Sequence, residues 1–171
     1  DGTRSFIMGH ENFAHSFAVA EKGVVTEAVV HLPAKKMTFA ATRGGGATLN
    51  GEPIAPSDAN DLAEAEVLAA KPMMKAEHWA GGVPPVKRNF RSSLAYRLAL
   101  VANGRFDAML TFRPAWEWDV AAGDLICPEA GAAVFDANGN VPVYNSTGAK
   151  IPGMIACAPA LRGPFLKHLA V

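Results

Sequence analysis

The chain has 171 residues, half of them hydrophobic, and 16 Lys+Arg balance 16 Asp+Glu. That length and apolar content can fill one core over residues 1–171, read as a single domain, and they exclude a disordered chain. The charge balance excludes the basic field that a nucleic-acid polymer needs, and no apolar run reaches the ~20 residues of a membrane-spanning helix.

In chain order, residues 13–20 and 24–32 are β-rich and are separated by Glu21-Lys22-Gly23, which reads as a hairpin. A third strand at 36–42 follows the turn at Pro33. Arg43-Gly44-Gly45-Gly46-Ala47 and Asn50-Gly51 then supply glycines where antiparallel connections need positive φ, so a meander of three or four strands is expected. Residues 58–65 read as helix or loop, 66–70 as a short buried strand, and 72–79 as a helix closed by Gly81-Gly82. From Ser93, the residues Leu94, Ala95, Leu98, Ala99, Val101 and Ala102 recur at helical spacing, with Ser92 or Ser93 as cap and Gly104 after the end. Residues 106–112 read as a strand, and 119–130 as a helix with Asp119 as N-cap, Gly131 as stop and Pro128 straining the last turn. Residues 132–135 and 154–158 read as buried strands and 159–169 as a closing helix. Alternating strands and helices in the second half predict layered α/β packing. Cys127 and Cys157 lie in apolar stretches without CxxC or Cys/His spacing and read as reduced core thiols, which fits a cytoplasmic protein. The chain opens at Asp1-Gly2-Thr3 without an initiator Met, and the expectation is that this start is a cut.

Two blocks carry candidate chemistry. In Asp1-Gly2-Thr3 the carboxylate can hold a hard cation, Gly lets backbone N–H groups approach a phosphate, and Thr adds a hydroxyl. Alone, the tripeptide reads first as an ordinary turn. In Trp118-Asp119-Val120-Ala121-Ala122-Gly123-Asp124, followed by Glu129-Ala130-Gly131, an Asp at a helix start with small residues behind it can turn its carboxylate toward a metal-bound phosphate. The competing reading is a plain N-cap, worth ~1 kcal/mol, with the alanines serving tight helix packing.

Together the blocks resemble the paired signatures of the inositol monophosphatase family, which carries Asp-Pro-(Ile or Leu)-Asp-Gly-Thr near its middle and Trp-Asp-x-Ala-Ala-Gly with Glu-Ala-Gly further on. This chain has the second half of the former at Asp1-Gly2-Thr3 and the latter whole over 118–131. The resemblance continues through 37–51 and through Leu100-Val101-Ala102 to Gly104-Arg105-Phe106-Asp107-Ala108, and so covers essentially the whole chain. It implies an α/β fold, the layered αβαβα sandwich of the sugar-phosphatase type, here lacking its amino-terminal helices and first strands. It implies Mg²⁺ as cofactor, with Asp1 and Asp119 as converging metal ligands, Asp1 and Thr3 as catalytic residues, and Gly2 and Thr3 as phosphate contacts. The implied reaction is lithium-sensitive, metal-assisted hydrolysis of a small-molecule phosphate ester, with Thr3 helping to orient the attacking water and no covalent intermediate. The family's first motif Asp, its upstream Glu-Glu pair and the carboxylate that partners the threonine precede position 1. Residues 1–171 alone are therefore expected to be inactive unless a separate polypeptide supplies the missing segment; a homodimer is allowed for.

The family's inositol phosphatases place a glutamate a few residues before the second-block Asp, whereas Thr111-Phe112-Arg113 has no acid there. A hydrogen-bonding site discriminates because its buried polar groups need partners, so the substitution argues against inositol. Lys87, Arg88, Arg91 and Arg97 cluster without an intervening acid, and Arg113 precedes Trp116-Glu117-Trp118-Asp119; these cations could hold a second phosphate or form only a solvated face. With Asn145 and residues 152–156, this form resembles the bacterial branch that hydrolyses 3′(2′),5′-bisphosphate nucleotides such as 3′-phosphoadenosine 5′-phosphate. That is the expected substrate; inositol 1-monophosphate is the alternative, and a non-catalytic interaction domain the second. Arg91, Arg113, Ser92 and Ser93 are the candidate substrate contacts, with capping as the competing role for the serines. Trp116 and Trp118 read as adenine-stacking or as core. Gly44-Gly45-Gly46 lacks the Lys-Ser/Thr of a phosphate loop and reads as a hairpin, and none of the five histidines is assigned to metal.

Overall fold

The first half of the chain alternates inward and outward side chains and folds as an antiparallel meander. In the computed structural model, which describes residues 1–169, a short helix α1 (Thr3–Ile7) precedes β1 (His15–Glu21), β2 (Val24–Leu32), β3 (Met37–Thr42), β4 (Gly46–Leu49) and β5 (Glu52–Pro53). These five strands form one sheet in sequence order, so the expected meander gains a short fifth strand. Ala28, Val30 and Leu32 of β2 are buried in simple alternation. The register shifts between Val19 and Ala20, where Thr26 is left opposite no residue, and this bulge lets Val25 also face the core despite its odd spacing from Ala28.

The second sheet contains β6 (Glu66–Ala69), β7 (Lys87–Asn89), β8 (Ala108–Thr111), β10 (Ala133–Phe135) and β12 (Met154–Cys157), in the order β10-β12-β8-β6-β7. β6 runs parallel to β7 and β8, and β12 antiparallel to β8 and β10. A separate ribbon pairs β9 (Ala115–Trp116) with β11 (Lys150–Ile151).

Two helices, α2 (Leu94–Ala102) and α3 (Glu117–Ala130), lie between the sheets. One buried cluster joins Val30 and Phe39 of the first sheet, Leu98 and Ile126 of the helices, and Met109 and Met154 of the second sheet. Removing a side chain of that size from water contributes roughly 1.5–3 kcal/mol. The opposite face of the second sheet, with Leu110 and Ile155, packs on Met73, Trp79 and Phe165 from two 3-10 turns and α4 (Arg162–His168). The layers are thus sheet, helices, sheet, helices, the mixed α/β architecture the sequence predicts. No described helix is long and apolar enough to cross a membrane.

Two expectations are corrected here, and one strand was not foreseen. Residues expected as a helix over 72–79 form two 3-10 turns, Lys71–Met74 and Ala76–His78, because Lys75 between them is extended. β7 carries only polar side chains and leaves no apolar pattern to read. The closing helix is split into a 3-10 turn, Pro159–Leu161, and α4.

The two central helices approach closely because α3 presents small residues. A Cβ on Gly123 would stand 2.4 Å from Leu98 Cβ, and Cys127 Sγ donates to the Leu98 carbonyl at 3.2 Å. Both cysteines are free and buried; burial drives the Cys127 thiol far above its ordinary pKa and pushes Cys157 up to about 12. Gly123→Ala should therefore destabilise the protein by about 1–3 kcal/mol. Leu98→Ala removes the Cγ and Cδ1 that the new methyl would meet, so the two losses should sum to less than additive, and strictly additive losses in urea unfolding would show that the contact has room to spare.

Candidate active site

Asp1 is placed by a backbone turn that only glycine makes without strain. Gly2, the N-cap of α1, has φ 86°, and a Cβ there would lie 2.9 Å from the Asn12 carbonyl oxygen. The turn pairs the main chain of Asp1 with Ala14: Asp1 N donates to Ala14 O at 2.8 Å, and Ala14 N donates to Asp1 O at 2.9 Å. The Asp1 side chain then reaches the N-terminus of α2. Its Oδ2 accepts from Ser93 Oγ at 2.6 Å and from Ala95 N at 2.9 Å, 94 residues away. Ser93 Oγ also accepts from Tyr96 N at 3.1 Å, so Ser93 is the N-cap of α2. Thr3 is exposed at the start of α1, and Ser92 is half-buried beside Ser93.

Asp119 is not the N-cap it was expected to be. α3 begins two residues earlier, with Trp116 as N-cap and no side-chain capping bond, which leaves Asp119 in the first turn. The earlier start follows from Glu117, whose buried carboxylate accepts from Asn145 N (2.8 Å), Ser146 N (3.1 Å) and Ser146 Oγ (2.5 Å) while its own N–H donates to Ala149 O (2.9 Å). Burial raises the pKa of Glu117, but the hydrogen bonds from Ser146 and Asn145 outweigh it and hold the carboxyl below its ordinary range. For Asp119, partial burial raises the pKa. Asp119 lies within Coulombic reach of the Asp1 main-chain nitrogen, in the first turn of α3, while the Asp1 carboxylate is bonded at the start of α2.

The remaining acids of the second block do other work. Glu129 accepts from Gly44 N through Oε1 (2.8 Å) and from Gly46 N through Oε2 (2.9 Å), clamping the triple-glycine turn of the β3–β4 hairpin. Burial pushes Asp124 up to about 6, tempered by the neighbouring Tyr144 hydroxyl, which stands outside ordinary hydrogen-bond geometry, and by Arg43. Sequence reasoning missed these roles, although the Glu-Ala-Gly triplet and the triple glycine were both visible.

Trp116 and Trp118 are not core residues. They are 42% and 57% exposed and stack with ring centroids 4.6 Å apart, and Lys150 Nζ stands 4.3 Å over the Trp116 ring. Trp118 also lines a cavity of about 350 Å³ together with Phe17, Glu117, Ala121, Tyr144 and Asn145. The proposed basic cluster is largely committed elsewhere. Lys87 bonds Glu64, Arg88 donates to the Ala69 carbonyl (3.0 Å), and Arg97 is buried, with Nε donating to Arg91 O (2.6 Å) and its guanidinium over Phe90. Burial lowers the Arg97 pKa to about 10. Arg91 and Arg113 are exposed and without a carboxylate partner among the described residues; Arg91 lies on the loop that ends at Ser93, and Arg113 on the loop before β9.

Among the described residues, no three His, Cys, Asp or Glu side chains form a metal-sized group. Asp1 and Asp119 are a partial donor set: one oxygen of Asp1 is held by α2, and no donor reaches the Asp119 carboxylate. Mg²⁺ is commonly held by one or two carboxylates and several waters, and Asp1 Oδ1 and the Asp119 carboxylate are oxygens that no donor among the described residues occupies.

The layered α/β architecture belongs to a defined class. The inositol monophosphatase family matches residues 1–163, and the chain is a member of that family. Among its relatives, the Nus factor SuhB of Salmonella typhimurium is 40% identical over 164 residues, which are 90% of this chain and 60% of that protein. An IMPase of Thermotoga maritima superposes with a TM-score of 0.81 at 32% identity, over 98% of this chain and 64% of that one. The extragenic suppressor protein suhB from Bartonella henselae gives 0.79 at 29% identity, over 96% and 66%. The chain spans about 60% of the length of the curated relatives it matches.

Asp124 supplies a pH test of this packing. Its pKa rises from 3.8 in water to about 6 in the fold, so the folded state holds its proton over a range where the unfolded chain has released it. Stability from this group is retained below pH ~4 and is lost as pH rises toward about 6. Asp124→Asn should therefore be more stable than wild type by about 3 kcal/mol at pH 7 and indistinguishable from it below pH ~4, as read by urea unfolding of the full-length protein.

Proposed function

We propose that the complete protein containing this chain hydrolyses a small phosphate monoester with Mg²⁺. The observation that supports this reading is that Asp119 lies within Coulombic reach of the Asp1 main-chain nitrogen although 118 positions separate them, with no hydrogen-bond donor to the Asp119 carboxylate among the described residues. In this reading the two carboxylates hold the cation, the Gly2 backbone and the exposed Thr3 hydroxyl contact the phosphate, and Thr3 helps orient the attacking water. Bound there, Mg²⁺ supplies charge neutralisation on the phosphoryl oxygens and a more acidic water.

Within that class, a 3′(2′),5′-bisphosphate nucleotide is the preferred substrate. Support comes from the missing acid at Thr111-Phe112-Arg113, from the exposed Arg91 and Arg113, and from the exposed indole of Trp118 beside the cavity. Lys87, Arg88 and Arg97 no longer contribute to it. Inositol 1-monophosphate is the alternative. The Nus-factor name carried by the SuhB relatives supports a second role as an interaction partner, which would survive loss of hydrolysis.

Asp119→Asn in the full-length protein should lower kcat/KM roughly a hundredfold or more, as removal of a charge-stabilising group does. Its melting temperature should stay near wild type, because Asp119 caps nothing. A parallel loss of stability would reduce the effect to folding. Arg91→Ala or Arg113→Ala should weaken turnover of a bisphosphate nucleotide about ten- to a hundredfold while sparing a simple monophosphate. Equal losses on both substrates would return inositol monophosphate to first place.

A further inference from the structure

We propose that Ser93 is a positioning residue that fixes the Asp1 carboxylate for cation binding, an inference that rests on Asp1 being a ligand as proposed above. The hydroxyl proton has one direction available to it. Tyr96 N–H donates to Ser93 Oγ, so the hydroxyl must accept there, and its own proton points to Asp1 Oδ2 at 2.6 Å. Ala95 N adds a second donor to the same oxygen at 2.9 Å. Oδ2 is thereby occupied, which orients Oδ1 as the oxygen left for a metal. Capping alone requires only the bond to Tyr96; the contact with Asp1 is additional and costs the helix nothing.

Two further observations show how firmly this serine is held. Ser93 has φ 67°, a left-handed conformation that a glycine would adopt without strain, yet a side chain is kept there. The loop before it is braced from inside the protein: Arg97, buried and without a carboxylate partner among the described residues, donates Nε to Arg91 O at 2.6 Å. A ligand's orienting partner typically changes metal affinity about 10- to 100-fold, and Ser93 stands in that relation to Asp1.

The backbone conformation offers a way to separate capping from positioning. Ser93→Gly relieves the positive φ and, as a cap, is only slightly worse than serine, but it removes the donor to Asp1. Ser93→Ala removes the same donor and also loses the cap. In the full-length protein, Mg²⁺ binding measured by isothermal titration calorimetry should weaken about 10- to 100-fold in both variants. Thermal unfolding without Mg²⁺ should fall clearly only in Ser93→Ala. In an Asp1→Asn background, Ser93→Gly should cause no further loss of Mg²⁺ affinity. Wild-type affinity in Ser93→Gly, alongside weakened binding in Asp1→Asn, overturns the positioning role while leaving Asp1 a ligand. Unchanged binding in Asp1→Asn itself overturns both. An affinity loss confined to Ser93→Ala, tracking its lower melting temperature, identifies the serine as a cap and nothing more.

Discussion

The close approach of α2 and α3 at Gly123 sets the geometry on which the site depends. Leu98 lies about one turn into α2 and Gly123 about one turn beyond Asp119 in α3, so contact at that level brings the starts of the two helices side by side. A larger residue at 123 would push the helices apart and separate those starts. Each helix start carries unsatisfied N–H groups and the positive end of a dipole, and both favour anionic side chains. Asp1 is gripped by the start of α2, and Asp119 belongs to the first turn of α3. The Asp1 carboxylate is thus held by neutral donors through one oxygen, leaving its second oxygen without a bond among the described residues.

The block from Glu117 to Glu129 shows how differently a fold can use acids that look alike in sequence. Glu117 is saturated by the 145–146 backbone and ties the helix start to the β9–β11 ribbon. Glu129 is saturated by Gly44 and Gly46 and ties the far end of the same helix to the hairpin of the first sheet. Asp124 is buried against Tyr144 and Arg43. Asp119 and Asp124 both lack hydrogen-bond donors among the described residues, and Asp124 is the more deeply buried of the two. A carboxylate that the fold has already satisfied has little left to offer a cation, so donor counting and burial together separate scaffold from chemistry where residue type cannot.

Legibility in the sequence followed the length scale of each determinant. The meander, α2 with its serine cap and α3 with its glycine stop were readable because apolar period, cap and stop all lie within a few residues. The 3-10 turns at 71–78 were not, since one extended residue, Lys75, divides a pattern that otherwise suits a helix. Asp119 was misread as a cap because the true helix start is fixed by a loop 29 positions away in sequence, through Glu117 and Ser146. The apparent basic patch dissolved for the same reason: Lys87 finds Glu64 from another part of the chain, and Arg97 turns inward. The two aspartates were recognised by motif, while the serine that holds one of them was seen only as a cap or a ligand contact. Its bond to Asp1 joins residues 92 positions apart, a distance no local pattern encodes.

The two buried thiols open a separate use for this fold. Cys127 sits in the cluster between the sheets, and Cys157 in the cluster beneath the second sheet. Both are held protonated by burial, so neither is a nucleophile while its layer stays closed. Alkylation at either sulfur is gated by the opening of the layer that covers it. The protein thus carries two internal clocks: modification of Cys127 times separation of the helices from the sheets, and modification of Cys157 times detachment of α4 and the 3-10 turns. If the two sulfurs react at different rates under native conditions, the layers loosen independently, and the order of their loosening can be read by mass spectrometry without introducing a probe.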